Sequence, residues 1–393
     1  VSSASVADGR VDSVWDELTG QDEAITLLKA ASTAGTDSSA MTHSWLITGP
    51  PGSGRSNLAY AFATALLSAG EPERAAAVHR QVLARSHPDL GVLTTDRVII
   101  SIDEVRALVS SSQFSPSVSS YRVMVIEDAD RMTERTSNVL LKALEEPPPR
   151  TVWILCAPSE ADLIPTIRSR VRSVRLRVPS VEAVASLIAQ RDGVDHELAL
   201  QSAREAQSHI GMAQRLATNS EARDRRAETI RLALGVTSTA QAVTAAARLL
   251  AIAGDDASSL TTERDAAERE SALRSLGVDP GGTVPMALRS QLKAMEEDQK
   301  RRATRSLRDG IDRILVDLLS LFRDILVIQL GASVDLVNLA FAPQLAQAAS
   351  SSVPEQTLAT LDAIALARHR IDTNVAAALA LEAMMITAIR RAA

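Results

Sequence analysis

The sequence predicts an α/β fold, a parallel sheet with flanking helices, followed by a region built from helices alone. Three observations carry this. The apolar run Trp45-Leu46-Ile47-Thr48 leads into Gly49-Pro50-Pro51-Gly52-Ser53-Gly54-Arg55-Ser56, and a helical pattern with Leu58, Phe62, Ala65 and Leu66 on one face follows. Further buried-type apolar runs then alternate with amphipathic helices up to Val178, as parallel sheets require. From Pro179 onward no convincing strand pattern returns. The expected division is residues 1–178, a P-loop domain; 179–235, a small helical lid; and 236–393, a second helical domain.

The strand–turn–helix at Gly49 to Ser56 has the form of a P-loop, whose glycines let backbone N–H groups converge on phosphate oxygens at a helix N-terminus. Gly49, Gly52 and Gly54 supply that turn, and Ser56 stands where a hydroxyl would meet Mg²⁺. The pattern calls for Lys before the Ser, and this chain has Arg55. Arginine keeps the charge but is a longer planar fork, so the exchange is not conservative at a tight phosphate site.

The elements follow in order. Residues 1–13 are Ser-rich and read as a loose tail, and Gly35 to Ala40 reads as a linker. A short amphipathic helix is predicted over Asp22 to Ala31, and another over Ser68 to Ser86. Val98-Ile99-Ile100 reads as a short strand. Ser101 with Glu104 has the form of a capping box opening a helix buried through Val105, Leu108 and Val109. Tyr121 to Ile126 is an apolar run expected of a central strand, ending in the acidic Glu127-Asp128-Ala129-Asp130. In P-loop proteins an acidic pair at such a strand end holds Mg²⁺ and orients the attacking water, which makes Glu127 and Asp128 candidate site residues. A helix capped near Thr133, with Leu140, Leu141 and Leu144 inward, is stopped by Glu145-Glu146-Pro147-Pro148-Pro149. Thr151 to Ala157 and Val171 to Val178 read as strands, with Thr166-Ile167-Arg168-Ser169-Arg170 between them.

Beyond Pro179, Ser180 caps a helix, and the segments 195–205 and 210–218 look helical. Residues 255–275 and 291–308 carry dense mixed charge, read as solvated helix faces, with a loop at Gly277 to Pro285. Ile311 to Leu330 and Val375 to Ile389 are strongly apolar helices. Their interrupting charges, Asp317, Arg323, Asp324 and Glu382, mark core or subunit-contact helices rather than membrane spans.

Composition bounds the function. Apolar residues make up 46% and aromatics only 2%, so the cores are built from Ala, Leu, Val and Ile. A net charge of −6 argues against gripping nucleic acid by phosphate neutralisation alone. The single cysteine, Cys156, reads as a buried small hydrophobe and excludes a disulfide framework or a Cys-rich zinc site. His43, His79 and His87 lack companions at ligand spacing and read as structural or surface groups, so no metal site is expected. The acidic, polar N-terminus is unlike a signal peptide, and no stretch is long enough for a bilayer, so a cytoplasmic chain without membrane contact is expected.

The run Asn138-Val139-Leu140-Leu141-Lys142-Ala143-Leu144-Glu145-Glu146-Pro147-Pro148, followed by Ile167-Arg168-Ser169-Arg170, resembles the bacterial DNA polymerase III clamp-loader subunits of the AAA+ class. Val14 to Gln21 also looks like the segment that lies over the adenine base in those proteins. The likeness spans roughly residues 10–240; the C-terminal part matches only in length and helical character. It implies an AAA+ P-loop domain, an all-α lid and an all-α oligomerisation collar. It also implies as partners the motor subunits (gamma/tau) and delta, and through the complex the sliding clamp and primer-template DNA.

Departures from the motor pattern point to the non-hydrolysing stator, the delta-prime type. Arg55 replaces Lys, Glu127-Asp128 replaces Asp-Glu, Gly211 stands near the place of the motor's lid arginine, and Ala157-Pro158 stands where motors carry threonines. Together they argue against a working ATPase; binding of ATP or ADP without hydrolysis stays open, and a motor-type ATPase using Arg55 is the alternative. Arg170, in Ser169-Arg170-Val171, matches the family's arginine finger, which reaches a neighbour's ATP. On spacing alone it reads as a surface Arg beside Arg168 and Arg172. Most relatives carry four cysteines before a His-Pro-Asp segment. Here Leu67 to Ser86 has none although His87-Pro88-Asp89 is present, so no zinc is expected and a plain helix should replace that module.

Overall fold

The computed structural model describes residues 14–15, 18–34, 41–50, 52–68, 72–95, 99–275 and 289–389. The N-terminal tail, the Gly35 to Ala40 linker and the Gly277 to Pro285 loop lie outside the described residues. The chain falls into two compact units, one ending at Ala217 and the other beginning at Thr218.

The first unit runs α1 (Asp22–Thr33), β1 (Ser44–Thr48), α2 (Arg55–Leu67), α3 (Pro72–Leu83), β2 (Leu90–Leu93), α4 (Ile102–Ser112), β3 (Arg122–Ile126), α5 (Glu134–Glu145), β4 (Thr151–Ala157), α6 (Pro165–Arg168), β5 (Arg172–Arg175), α7 (Val181–Asp192), α8 (His196–Glu205) and α9 (Ile210–Thr218). The strands form one five-stranded sheet in the order β2-β3-β4-β1-β5. Every pairing is parallel, with Leu46 opposite Leu155, Ile47 opposite Val174, and Val125 opposite Ile154.

Alternation along the strands builds two cores. Trp45, Ile47, Val123, Val125, Val152, Ile154 and Cys156 pack on one face with Leu58, Phe62 and Leu66 of α2. Leu46, Met124, Ile126, Trp153 and Leu155 pack on the other with Val105 of α4 and Leu140 and Leu144 of α5. Trp45 and Phe62 meet edge to face at 5.3 Å, which fixes the pitch of α2 behind β1. The capping box of Ser101 and Glu104 forms, and Thr133 accepts from the Thr136 N–H to start α5. The helix expected between 68 and 86 is α3.

Two strand expectations change. Val98 lies outside the described residues, and Ile100 makes only an isolated parallel bridge to Met132. The edge strand is β2 instead, pairing with β3. Its Gly91 is required by close packing, since a Cβ there would sit 2.5 Å from Met124 Sδ. At the other edge β5 covers Arg172–Arg175 rather than Val171 to Val178, although the Leu176 N–H still donates to Thr48 O at 2.7 Å.

The second unit holds α10 (Ser220–Leu234), α11 (Thr239–Ser275), α12 (Arg289–Gln329), α13 (Ala342–Ser350), α14 (Pro354–Asp372) and α15 (Ala377–Thr387). Its core includes Ile230, Leu249, Leu318, Leu321, Leu345, Ile364, Leu381 and Met385. The charges that interrupt the apolar run of α12 are internal ties. Asp324, fully buried, accepts from the Val337 and Asn338 N–H groups and from Asn338 Nδ2, while Arg226 donates to Asp317 and Asn338. No helix among the described residues is long and apolar enough to cross a membrane.

One buried carboxylate fixes the loop that enters β3. Asp89, fully buried, accepts from the backbone N–H groups of Ser117, Val118 and Ser119 and from the Ser117 hydroxyl, at 2.6–2.9 Å. Burial alone would raise its pKa; the donations from Ser117, Ser119 and Val118 outweigh it and hold the carboxyl below its ordinary value. A depressed carboxylate contributes stability above its unfolded pKa and loses it as pH falls through the folded one. Asp89→Ala should therefore cost about 3 kcal/mol in urea unfolding at neutral pH, because three backbone donors lose their acceptor. The deficit should shrink as pH falls below about 4. A variant as stable as the parent at pH 7 would refute this account of the loop.

Candidate functional site

Parallel pairing puts the carboxyl ends of β1 and β3 on one edge of the sheet, with β4 between them. That edge is where open α/β sheets hold ligands. The loop leaving β1 becomes α2 at Arg55, and Gly52 and Gly54 take positive φ of 77° and 89°. The loop leaving β3 begins with Glu127. The fold thus brings Ser56 and Glu127 together: Ser56 Oγ donates to Glu127 Oε2 at 2.7 Å.

Other groups close on the same carboxylate. The Tyr60 hydroxyl, one turn along α2 from Ser56, donates a short bond to Glu127 Oε1. Arg85 Nη2 reaches that oxygen at 3.1 Å, while its Nη1 donates to Thr94 Oγ1. Arg85 is a non-glycine residue at φ 53°, a left-handed turn that follows α3 and turns the guanidinium back toward the sheet. Burial first, then the hydrogen bond to Glu127 and its charge, push the Tyr60 phenol well above its ordinary pKa. Glu127 is therefore neutralised and hydrogen-bonded from within the chain. Asp128 adopts φ 42° and pairs with Arg131 at 3.6 Å.

The P-loop is also engaged by its own residues. Arg55 Nη1 donates to Gly49 O at 2.5 Å, so the cation that replaces Lys is folded onto the first glycine of the loop. The Gly49 N–H donates to Pro158 O at 3.2 Å, and the Ser53 N–H to Pro50 O at 3.1 Å. His209 stands over Gly52: a Cβ on Gly52 would lie 2.2 Å from His209 Cγ, so glycine is the residue the contact admits. The imidazole Nδ1 accepts from the Met212 N–H at the start of α9, and the Ile210 N–H donates to Gly52 O at 3.3 Å. The three-helix segment α7–α9 is thereby seated on the loop through His209 and Ile210. In this arrangement the Gly49 and Ser53 N–H groups face internal carbonyls, and Arg85 stands beside the carboxylate that would face a metal.

Gln21, just before α1, is tied to Arg177, two residues past β5. Its Nε2 donates to Arg177 O at 2.8 Å, and its Oε1 accepts from the Arg177 N–H at 3.0 Å. Among the described residues no group of three or more His, Cys, Asp or Glu is placed to hold a metal ion.

Arg170 lies apart from this cluster. It follows α6, whose Ile167 is fully buried against the α5 core and fixes the local backbone. Its guanidinium remains on the surface, with a third of the side chain exposed (33%). Nε donates to Glu145 Oε1 at 2.6 Å, Nη2 makes a short contact with the same oxygen, and Nη1 donates to Thr166 O and Ser169 Oγ at 2.7 and 3.0 Å.

The sequence singled out Ser56, Glu127 and Arg170 as candidates but not Tyr60, Arg85, His209 or Glu145, which the structure places beside them. Tyr60 carried a signal, since it lies four residues after Ser56 on one helix face. Arg85 and Glu145 reach their partners across 42 and 25 residues, which no local pattern reveals. The occlusion predicts that Arg55→Lys combined with His209→Ala raises affinity for a fluorescent ATP analogue at least tenfold over the parent chain. Equal affinity in equilibrium titration would show that these side chains do not close the loop.

Residues 20–180 match the family model described as DNA polymerase III, delta subunit. The chain is 34% identical over 115 residues to DNA polymerase III subunit delta' of Haemophilus influenzae, covering 29% of this chain and 35% of that protein. It is 36% identical over 152 residues to the delta' subunit of Pseudomonas aeruginosa, covering 37% and 45%. It is 29% identical over 186 residues to the gamma/tau subunit of Mycobacterium tuberculosis, covering 45% and 32%. The chain thus spans between about a third and a half of the length of these curated relatives. Over residues 20–180 this chain is similar to DNA polymerase III delta and delta' subunits.

Proposed function

We propose that the chain serves as the stator, the delta-prime-type subunit of a DNA polymerase III clamp loader. In this reading it turns over no nucleotide and lends Arg170 to the ATP of a neighbouring subunit. The observation that carries it is a contrast within one unit. Arg55, the cation of the P-loop itself, is folded onto the Gly49 carbonyl, while Arg170 lies at the surface on Glu145. An arginine presented in trans stabilises the charge that spreads over the equatorial oxygens as the γ-phosphoryl transfers. That contribution is worth roughly a thousandfold or more in rate.

The partners in this proposal are the gamma/tau motor subunits and delta, with the sliding clamp and primed DNA reached through the assembly, in the cytoplasm. In this reading residues 1–178 are the AAA+ domain, the following helices the lid and the C-terminal helices the collar, with α10 packed in the core of the second unit. One observation favours a second reading, a motor-type ATPase: Ser56 and Glu127 meet at 2.7 Å, the juxtaposition a metal site needs. Steady-state turnover by the isolated chain, removed by Glu127→Ala, would support that reading.

A paired substitution tests the stator. Arg170→Ala should remove most of the clamp-loading ATPase of the assembled complex, whereas Arg55→Ala should change it little. The reverse pattern would overturn the proposal.

A further inference from the structure

The last residue of α5 is Glu145, a carboxylate at a helix C-terminus. That is the wrong end for a negative charge, because the exposed carbonyls there carry partial negative charge of their own. The placement has a visible counterpart. Glu145 Oε1 takes both Nε and Nη2 of Arg170, and Nη1 is taken by Thr166 O and Ser169 Oγ. Every guanidinium nitrogen thus has a partner on this chain. Exposed ion pairs usually contribute little, but this one is a fork closed on both sides, the geometry in which arginine loses least freedom per bond formed.

The backbones that carry the pair are rigid. Leu140 and Leu144 of α5 and Ile167 of α6 lie in one buried cluster, so the separation between Glu145 and Arg170 is set by core packing. Without these partners the arginine side chain would sample many rotamers before it met a phosphate. We propose that Glu145 is a positioning residue: its carboxylate selects the rotamer in which Arg170 is presented to the neighbouring subunit's triphosphate. This rests on the arginine-finger reading of Arg170. Glu145 does not touch the nucleotide; it acts only through the guanidinium.

The test uses the assembled clamp loader with the full chain, and reads kcat and KM for ATP in clamp-loading turnover. The variants are Glu145→Gln, Arg170→Ala and the pair together, with thermal midpoints recorded alongside. Glu145→Gln should lower kcat roughly three- to thirtyfold, the range set by freeing one arginine rotamer, with KM unchanged within about twofold. In the Arg170→Ala background the same change should have no further effect, because nothing is left to position. A normal or raised kcat for Glu145→Gln beside an impaired Arg170→Ala overturns the positioning role and leaves the finger standing. A loss that adds to that of Arg170→Ala, with a lowered thermal midpoint, also overturns it, since Glu145 would then be acting on the fold. An unimpaired Arg170→Ala would remove the finger reading and this inference with it.

Discussion

A carboxylate at the end of a buried strand must be neutralised by something. In this chain the answer is internal: Glu127 is met by the Arg85 guanidinium, the Tyr60 hydroxyl and the Ser56 hydroxyl. That one charge ties β3, α2 and the turn after α3 into a single knot. Its side chain is only 17% exposed, so leaving it unpaired would be costly, and the three donors offset that cost. The rest of the P-loop edge follows. Arg55 folds onto the Gly49 carbonyl, and His209 brings the following helices down on Gly52.

The same sheet delivers a second cation with the opposite fate. Arg170 is placed by a short helix whose Ile167 is anchored in the core, and its guanidinium is spread over acceptors at the surface. One arginine is folded onto the phosphate loop, and the other is paired at the surface with Glu145, Thr166 and Ser169. The difference lies in what surrounds each: a glycine carbonyl within a tight loop for Arg55, and a helix-end carboxylate with two neighbouring oxygens for Arg170. In the second unit, buried charge is handled the way Glu127 is. Asp324 and Asp317 are satisfied by Asn338, backbone N–H groups and Arg226, so interruptions in an apolar helix became internal ties rather than exposed faces.

Much of this was legible in the sequence because it is local. The apolar run before Glu127 had to be a doubly buried strand, and Ser101 with Glu104 had to cap a helix, since each signal lies within one element. The glycine loop between an apolar run and a helical pattern placed Ser56 at the helix start. The edge strand β2 was not legible: its four residues include Gly91, and what makes them a strand is pairing to β3 thirty-odd residues on. The closure of the site was not legible either. Arg85 and His209 act through a left-handed turn and a docked helix start, and nothing in their neighbours' identities announces those contacts. Glu145 was visible as part of a helix stop and of the run that carries the family resemblance, but its pairing with Arg170 depends on how α5 and α6 pack.

In the proposed function, the chain's own phosphate loop is closed by its side chains while Arg170 serves a neighbouring subunit. A structure of the assembled clamp loader with a non-hydrolysable ATP analogue tests it most directly. The account predicts the Arg170 guanidinium within hydrogen-bonding distance of the neighbouring subunit's terminal phosphate, with Arg55 still on the Gly49 carbonyl and no nucleotide in this chain's loop. An analogue bound between Gly49 and Ser56 with Arg170 facing bulk water would contradict it.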